Sequence, residues 1–272
     1  MSQDDLEKLP GVGPATADKL VENNYKTYMK IAVSSPEELN EYADIGTNTA
    51  EKMITKAREV AEVGQIKSSA ETYAERMNRQ HLSLGLEELD DVLGGDGLES
   101  GNINEFYGEF GSGKSQFTHQ LCVLVQLPER VGGCHGRPVF IDTENSYREE
   151  RVLQMALGLP SEKKEAYIQE NDMDMTVEEV ENDLTPEDLL TKDYSRSGPG
   201  FEFAQSFLNR TMNVKALSSS HQMAVVTDQL PEVINEYAED EYPVRLVAVD
   251  SLMAKFRAEY TGRGQLAERQ QK

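Results

Sequence analysis

The chain has 272 residues, and its 27 Lys and Arg against 49 Asp and Glu give a net charge of -22 and a pI near 4.6. This length suits about two domains. The charge at first argues against a nucleic-acid ligand, because an acidic surface repels phosphates at long range. Two cysteines are too few for a disulfide framework or a structural zinc site, and the acidic start and short apolar stretches exclude a secretory signal and a membrane span. We therefore expect a cytoplasmic protein with no membrane partner. The acidity also fits a protein of a salt-rich cytosol. The alternative is an acidic mesophilic protein.

Residues 1–64 predict a small all-α domain, because apolar residues recur at helical spacing between Gly and Pro turns. Residues Leu9–Leu20 read LPGVGPATADKL, which is typical of a helix-hairpin-helix. Gly11 and Gly13 would open a helix N-terminus whose N–H groups bind a DNA phosphate without reading sequence. A second hairpin is compatible with the turn at Ile45-Gly46. The alternative is a hairpin that packs only against protein, because the nearby acidic side chains disfavour phosphate.

Residues 65–80 are polar and helix-prone and predict a linker or polymerisation segment. From residue 81 to 272, short apolar strands alternate with helices, which predicts an α/β core with a mostly parallel sheet. The candidate strands are Ile103–Tyr107, Val139–Asp142, Val214–Leu217 and Leu246–Val249. The candidate helices are Lys114–Val125, Arg148–Leu157 and His221–Ala238.

Residues 161–193 stand apart by charge. They hold 12 Asp and Glu against 3 Lys, a net charge of -9, with few strand-forming residues. Such a composition predicts an acidic surface insertion that is helical in part and mobile in part.

The strongest motif is GEFGSGKS, which matches GxxxxGK[ST] directly after a candidate strand and before a candidate helix. Its glycines let backbone N–H groups form an anion cradle at a helix N-terminus. Lys114 would bring a positive charge to the β/γ-phosphates, and the Ser115 hydroxyl can ligate Mg²⁺. The alternative is a glycine-rich loop without function. This phosphate-binding loop (P-loop) consists of Gly108, Glu109, Phe110, Gly111, Ser112, Gly113, Lys114 and Ser115.

A P-loop needs an acidic partner at the end of an apolar strand, and RLVAVDS at 245–251 provides Asp250. Its carboxylate would hold the Mg²⁺ hydration shell from the carboxyl end of the strand. A second acidic strand end carries Asp142 and Glu144, and a carboxylate there could activate the attacking water. The two alternate sides of an extended chain, so only one would face the phosphate. The pattern does not decide which, and either could instead cap the next helix.

The tail at residues 255–272 reverses the overall charge, with five cations and two anions. Arginines with an aromatic residue and two glycines suit a mobile loop that grips the backbone of single-stranded DNA. A solvated basic face is the alternative.

Together these residues resemble the archaeal RadA recombinases, within the RecA-like strand-exchange ATPases. The resemblance covers nearly the whole chain except about 165–205. It implies DNA repair and homologous recombination, through ATP-dependent filaments on single-stranded DNA that exchange strands with double-stranded DNA. The implied partners are DNA, further copies of the chain in a filament or ring, and other recombination proteins. The motifs that carry the resemblance are GVGPATADKL, GGDGLES, GEFGSGKSQ, VQLPERVGG, FIDTENSYREERV, SSSHQM and VRLVAVDSLMAKFRAEYTGRGQLAERQQ.

The resemblance also implies roles at the nucleotide. Lys114 and Ser115 would contact the phosphates of ATP and Mg²⁺, with Lys114 counted as catalytic. Glu144, rather than Asp142, would activate the water, and Asp250 would hold the metal.

Further roles are implied for the adenine and the DNA. Gln116 follows the P-loop in the nucleotide-binding set, and Arg151 would stack on adenine. The implied contacts of the first DNA-binding loop are Arg257, Tyr260, Arg263 and Arg269.

Two departures from the family stand out. Where the family carries Phe-x-x-Ala in its linker, this chain offers Ile66 to Ser69. A branched aliphatic side chain fills less of an aromatic pocket, so we expect weaker polymerisation or different packing. The chain also stops at Lys272, directly after the first DNA loop, without the family's second DNA loop and last strands. We therefore expect a fragment, an interrupted gene or a paralogue that binds ATP and recombinase protomers without strand exchange. An ATPase of the same fold unrelated to DNA is a further rival.

Overall fold

The chain divides into an all-α unit, Met1–Asn78, and an α/β unit, Arg79–Lys272. The computed structural model describes residues 6–23, 25–61, 63–64, 66–191 and 195–260.

Among the described residues of the first unit, helical periodicity is realised as four helices around one apolar core. The fully buried members of that core include Leu20, Ile31, Leu39 and Met53. A fifth helix has no buried residue, and it begins with a capping box between Ser68 and Glu71. In chain order the helices are α1 (Pro14–Glu22), α2 (Tyr28–Val33), α3 (Pro36–Ala43), α4 (Thr47–Val60) and α5 (Ser69–Arg76).

The second unit begins with an antiparallel pair of very short strands, β1 and β2, and continues with parallel strands separated by helices. In chain order its elements are β1 (His81–Leu82), α6 (Glu87–Val92), β2 (Leu98–Glu99), α7 (Lys114–Leu124), β3 (Arg137–Asp142), α8 (Glu149–Leu157), α9 (Ser161–Glu170), α10 (Val177–Asp183), α11 (Asp188–Thr191), α12 (Pro199–Arg210), β4 (Met212–Lys215), α13 (Ser219–Ala224), α14 (Leu230–Glu236), β5 (Val244–Asp250) and α15 (Ala254–Glu259).

Three strands form a parallel sheet in the order β4-β3-β5, which confirms the predicted α/β class. Successive side chains of the central strand β3 point to opposite faces of the sheet, and both faces are buried. Phe140 belongs to the large core with α7, α8 and α12, whereas Val139 and Ile141 pack with Ala216 on the opposite face. Parallel pairing brings Asp142 and Asp250 side by side in the register, at the carboxyl ends of their strands.

The acidic segment is packed into the core more closely than its composition predicts. Residues 161–191 form α9, α10 and α11, and one face of these helices is buried. Tyr167 and Val180 are fully buried, and Tyr167 stacks on Phe207 with the ring centroids 4.1 Å apart. Apolar residues spaced at helical intervals therefore anchor this segment, while its carboxylates occupy the outer face.

The predicted strand at 103–107 is wrong, whereas the predicted helix at 221–238 is present with an irregular turn inside it. Residues 102–109 adopt no strand, and the side chains of Ile103 and Tyr107 are exposed. A strand needs a neighbour for its backbone hydrogen bonds, and no described strand pairs with this segment. The predicted helix at 221–238 is divided by a π-helical turn at Val225–Gln229, ahead of α14, where Pro231 removes a backbone donor.

Candidate nucleotide site

The P-loop passes directly into the 11-residue helix α7, as the motif predicts. Gly111 and Gly113 have φ values of 80° and 89°, which a side chain would disfavour. No side chain caps the first turn of α7, so its N–H groups remain available to an anion. Phe110 is fully exposed at the tip of the loop.

The Lys114 ammonium lies against the loop that precedes it. Its Nζ donates to the carbonyl oxygens of Gly108 and Glu109 at 2.9 and 2.8 Å, and it lies 3.3 Å from Ser112 Oγ. A phosphate seated in the loop would compete with these neutral acceptors for a charge-assisted bond. The Lys114 ammonium is thus placed to exchange these carbonyl acceptors for a bound phosphate.

The two acidic strand ends are joined by the residues that follow them. The Thr143 N–H donates to the Asp250 carbonyl at 2.9 Å, and the Thr143 hydroxyl donates to the Ser251 carbonyl at 2.7 Å. The Ser146 hydroxyl donates to Asp250 Oδ2 at 2.8 Å. These bonds fix the Asp250 carboxylate beside the segment after β3.

Asp142 and Glu144 have different surroundings. The buried Asp142 carboxylate accepts the N–H groups of Glu144, Ser146 and Tyr147 at 3.0–3.3 Å. Glu144 is exposed, and its carboxylate accepts the Ser251 hydroxyl. Neither carboxylate caps α8, whose N-cap residue Arg148 makes no side-chain cap. Asp142 is therefore used in shaping the loop, which leaves Glu144 as the more accessible carboxylate.

Gln116 and Arg151, which sequence analysis placed at the nucleotide, are in direct contact. Arg151 Nε donates to Gln116 Oε1 at 2.6 Å. This bond links the first turns of α7 and α8. Sequence analysis missed the hydroxyls of Ser146 and Ser251, which hold Asp250 and Glu144, because nothing in a short hydroxyl residue indicates which carboxylate it will meet.

The donor set fits Mg²⁺ held jointly by protein and nucleotide. Among the residues that the structure describes, no three His, Cys, Asp or Glu side chains form a metal cluster. Mg²⁺ usually takes one or two protein ligands, with water and phosphate oxygens completing the shell. Ser115 and Asp250 are of the required chemical type. Burial raises the pKa of the Cys122 thiol to about 12 and that of Cys134 to about 11, so neither is a nucleophile at neutral pH.

The candidate DNA-binding residues lie only partly within the described chain. Arg257 is exposed on α15, and Tyr260 directly follows that helix. The Glu259 carboxylate accepts the N–H of Ser219 at 2.7 Å, which ties the end of α15 to α13. The predicted mobile loop thus starts as an anchored helix. Arg263 and Arg269 lie outside the described residues.

In the all-α unit, Gly11 and Gly13 lie at the start of α1. Gly11 has a φ of 78°, and an added Cβ would come within 2.6 Å of Thr49 Cγ2. Gly13 is the N-cap of α1 and makes no side-chain cap, so the N–H groups there face no side-chain acceptor. Ile66 is fully exposed ahead of α5, and Ser69 begins that helix.

Comparison with known proteins places these features in a family. The Rad51 family model matches residues 75–171 and 200–272, and a tandem helix-hairpin-helix model matches residues 4–59. The unmatched residues 172–199 cover much of the acidic segment. The chain therefore belongs to the Rad51 family.

Within that family, the similar curated relatives carry the name DNA repair and recombination protein RadA. The whole chain is 46% identical to the relative from Haloferax volcanii and 44% identical to that from Halobacterium salinarum, and it spans 74% of each. It is 41% identical to the relative from Methanocorpusculum labreanum, of which it spans 71%. In the described ranges no helix has the length and apolar character needed to span a bilayer.

Proposed function

We propose that the chain binds ATP with Mg²⁺, assembles with further copies of itself on single-stranded DNA, and takes part in strand exchange during DNA repair. The observation that carries this proposal is a P-loop in a chain of the Rad51 family whose Glu144 and Asp250 are held, at neighbouring strand ends, by the hydroxyls of Ser251 and Ser146. The closest fit is therefore a RadA-type recombinase.

In this proposal the nucleotide lies at the start of α7. The uncapped N–H groups and Lys114 bind the phosphates, and Ser115 with Asp250 holds Mg²⁺, which would offset phosphate charge. Glu144 accepts a proton from the attacking water, because Asp142 is committed to three backbone donors. The hydrogen-bonded pair of Gln116 and Arg151 forms the side of the site that faces the adenine.

DNA contacts are proposed for both units. The N–H groups at Gly13 suit a phosphate, and Arg257 and Tyr260 begin the basic tail, with Arg263 and Arg269 beyond them. The exposed Ile66, followed by Ser69, is the proposed contact with the next copy in a filament. An aliphatic anchor in this position supports weaker assembly than an aromatic one.

One observation favours a second candidate function, a protein that binds ATP and recombinase protomers without exchanging strands. The extended residues 102–109 lead into the P-loop without a strand partner among those described, so the loop has less support than a strand would give. Such a protein would bind nucleotide and copies of a recombinase while exchanging no strands.

The test measures ATP binding and ATP hydrolysis by the chain with and without single-stranded DNA, over a range of KCl concentrations, together with strand exchange. We expect DNA to stimulate hydrolysis, and the stimulation to fall as salt rises, because the cations that contact the phosphates displace counterions from the DNA. Lys114→Ala should abolish nucleotide binding, whereas Lys163→Ala, outside the site, should not. Hydrolysis that DNA leaves unchanged at every salt concentration would contradict the recombinase proposal; nucleotide binding without strand exchange would support the second candidate.

A further inference from the structure

A buried histidine joins the P-loop helix to the segment that carries Glu144 and Arg151. His119 lies one turn after Ser115 in α7 and is fully buried. Its Nδ1 lies 2.6 Å from the Ser115 carbonyl oxygen, and the Arg148 backbone N–H donates to its Nε2 at 3.1 Å. Since a carbonyl accepts and an N–H donates, Nδ1 carries the proton and Nε2 is the acceptor. The two bonds therefore define one neutral tautomer.

The packing around the ring leaves it little freedom to turn. His119 stacks on Tyr147 with ring centroids 5.2 Å apart and planes 16° apart, and Phe140 lies at the same centroid distance. Burial lowers the His119 pKa; the Ser115 bond and the Asp250 and Asp142 carboxylates oppose that effect, and Arg151 adds to it. A neutral ring is what both hydrogen bonds require.

We propose that His119 is a positioning residue of the nucleotide site, one that fixes the segment at 143–151 against the first turn of α7. The proposal rests on the proposed function for the identity of the ligand. The Gln116–Arg151 bond joins the same two elements at the exposed side, whereas the His119 bonds join them in the interior. Bonds in the interior are less weakened by water, so His119 holds Glu144 at a fixed distance from Lys114 and Ser115.

Two amide substitutions test the two hydrogen bonds of His119, to Ser115 and to Arg148, one at a time. In His119→Asn the side-chain amide can take the place of Nδ1 and donate to Ser115, but it is too short to reach the Arg148 N–H. In His119→Gln the amide oxygen can take the place of Nε2 and accept that N–H. Cys122→Ala is the matched control, because Cys122 is fully buried in the same helix and lies near Tyr147, yet forms no hydrogen bond with residues 143–151.

The experiment measures hydrogen–deuterium exchange at residues 143–151 in the nucleotide-free chain, and the affinity for a fluorescent ATP analogue with Mg²⁺. For His119→Asn we expect exchange about tenfold faster, which corresponds to about 1.4 kcal/mol for one lost hydrogen bond, and weaker nucleotide binding. His119→Gln should restore most of the protection from exchange at residues 143–151 and most of the affinity for nucleotide. Cys122→Ala should lower thermal stability without changing either readout.

Equal exchange in His119→Asn and the unchanged chain would overturn the proposal, as would the same increase in Cys122→Ala. If His119→Asn does not fold, His119→Gln against Cys122→Ala decides: normal protection at 143–151 in the glutamine variant supports the bridge, and loss of protection contradicts it. If the unchanged chain binds no nucleotide, the proposed function fails, while the exchange comparison still decides the role of His119.

Discussion

Asp142 and Glu144 are two residues apart and have the same charge, yet their contacts separate them. Three backbone N–H groups converge on the buried Asp142 carboxylate, whereas exposed Glu144 meets one hydroxyl. A carboxylate that accepts several N–H groups organises a loop, and an accessible one can exchange protons with a ligand. The geometry thus favours Glu144 for chemistry and Asp142 for architecture.

This difference predicts unequal effects of substitution on the free energy of unfolding. Asp142→Ala leaves three backbone donors, that of Tyr147 buried, without their acceptor and should lower the free energy of unfolding by about 1–3 kcal/mol. Glu144→Gln should change it by less than about 0.5 kcal/mol, because the side chain is exposed. Urea unfolding followed by circular dichroism measures both, since the chain has no tryptophan to report by fluorescence. Equal losses in the two variants would mean that Asp142 has no special part in the loop.

At the scale of elements, the acidic helices α9 to α11 depend on a few buried side chains. Tyr167 packs against both Phe203 and Phe207, and its hydroxyl accepts a hydrogen bond from Arg210 at 2.7 Å. Tyr167→Ala should cost about 3–5 kcal/mol, as removal of a buried aromatic ring usually does. Glu178→Gln, on the exposed face of α10, should cost less than about 0.5 kcal/mol. Thermal unfolding of both variants tests this, and a small loss for Tyr167→Ala would show that the segment is not anchored to the core.

Sequence reasoning succeeded for elements that local patterns define. The P-loop motif predicts α7 because glycine conformations and the helix start are local properties, and the apolar runs predict β3 and β5 because both are short and continuous. It failed for 103–107, since a strand exists only with a neighbour. Sequence reasoning also underestimated how firmly residues 161–191 pack into the core. Charged residues dominate the composition of this segment, and the buried side chains that anchor it, such as Tyr167 and Val180, are few. The choice between Asp142 and Glu144 stayed open because it depends on contacts rather than spacing.

For the whole molecule, the charge of -22 sets a cost on the folded state. Like charges held close together repel, and salt screens that repulsion. The segment at 161–193 alone contributes -9, so much of the repulsion is concentrated on one part of the α/β unit.

We therefore expect KCl to stabilise the chain. The Debye length falls from about 10 Å at about 0.1 M salt to about 3 Å at about 1 M, so the midpoint of urea unfolding should rise over this range. Screening saturates, whereas the exclusion of a solute from the surface grows steadily with its concentration. The steepest rise should thus lie at the low-salt end. A midpoint that is flat there would mean that repulsion does not limit the stability.

The extended run ahead of the P-loop gives the chain a built-in reporter. Tyr107 and Phe110 are the most exposed aromatic side chains in the part of the chain that the structure describes, and they lie beside the backbone that would cradle a phosphate. A protease that cuts after aromatic residues should therefore cleave first at 106–110. A ligand seated on that backbone would shield the same bonds, so the rate of the first cut would measure how much of the site is occupied, without a label and before any turnover is detected.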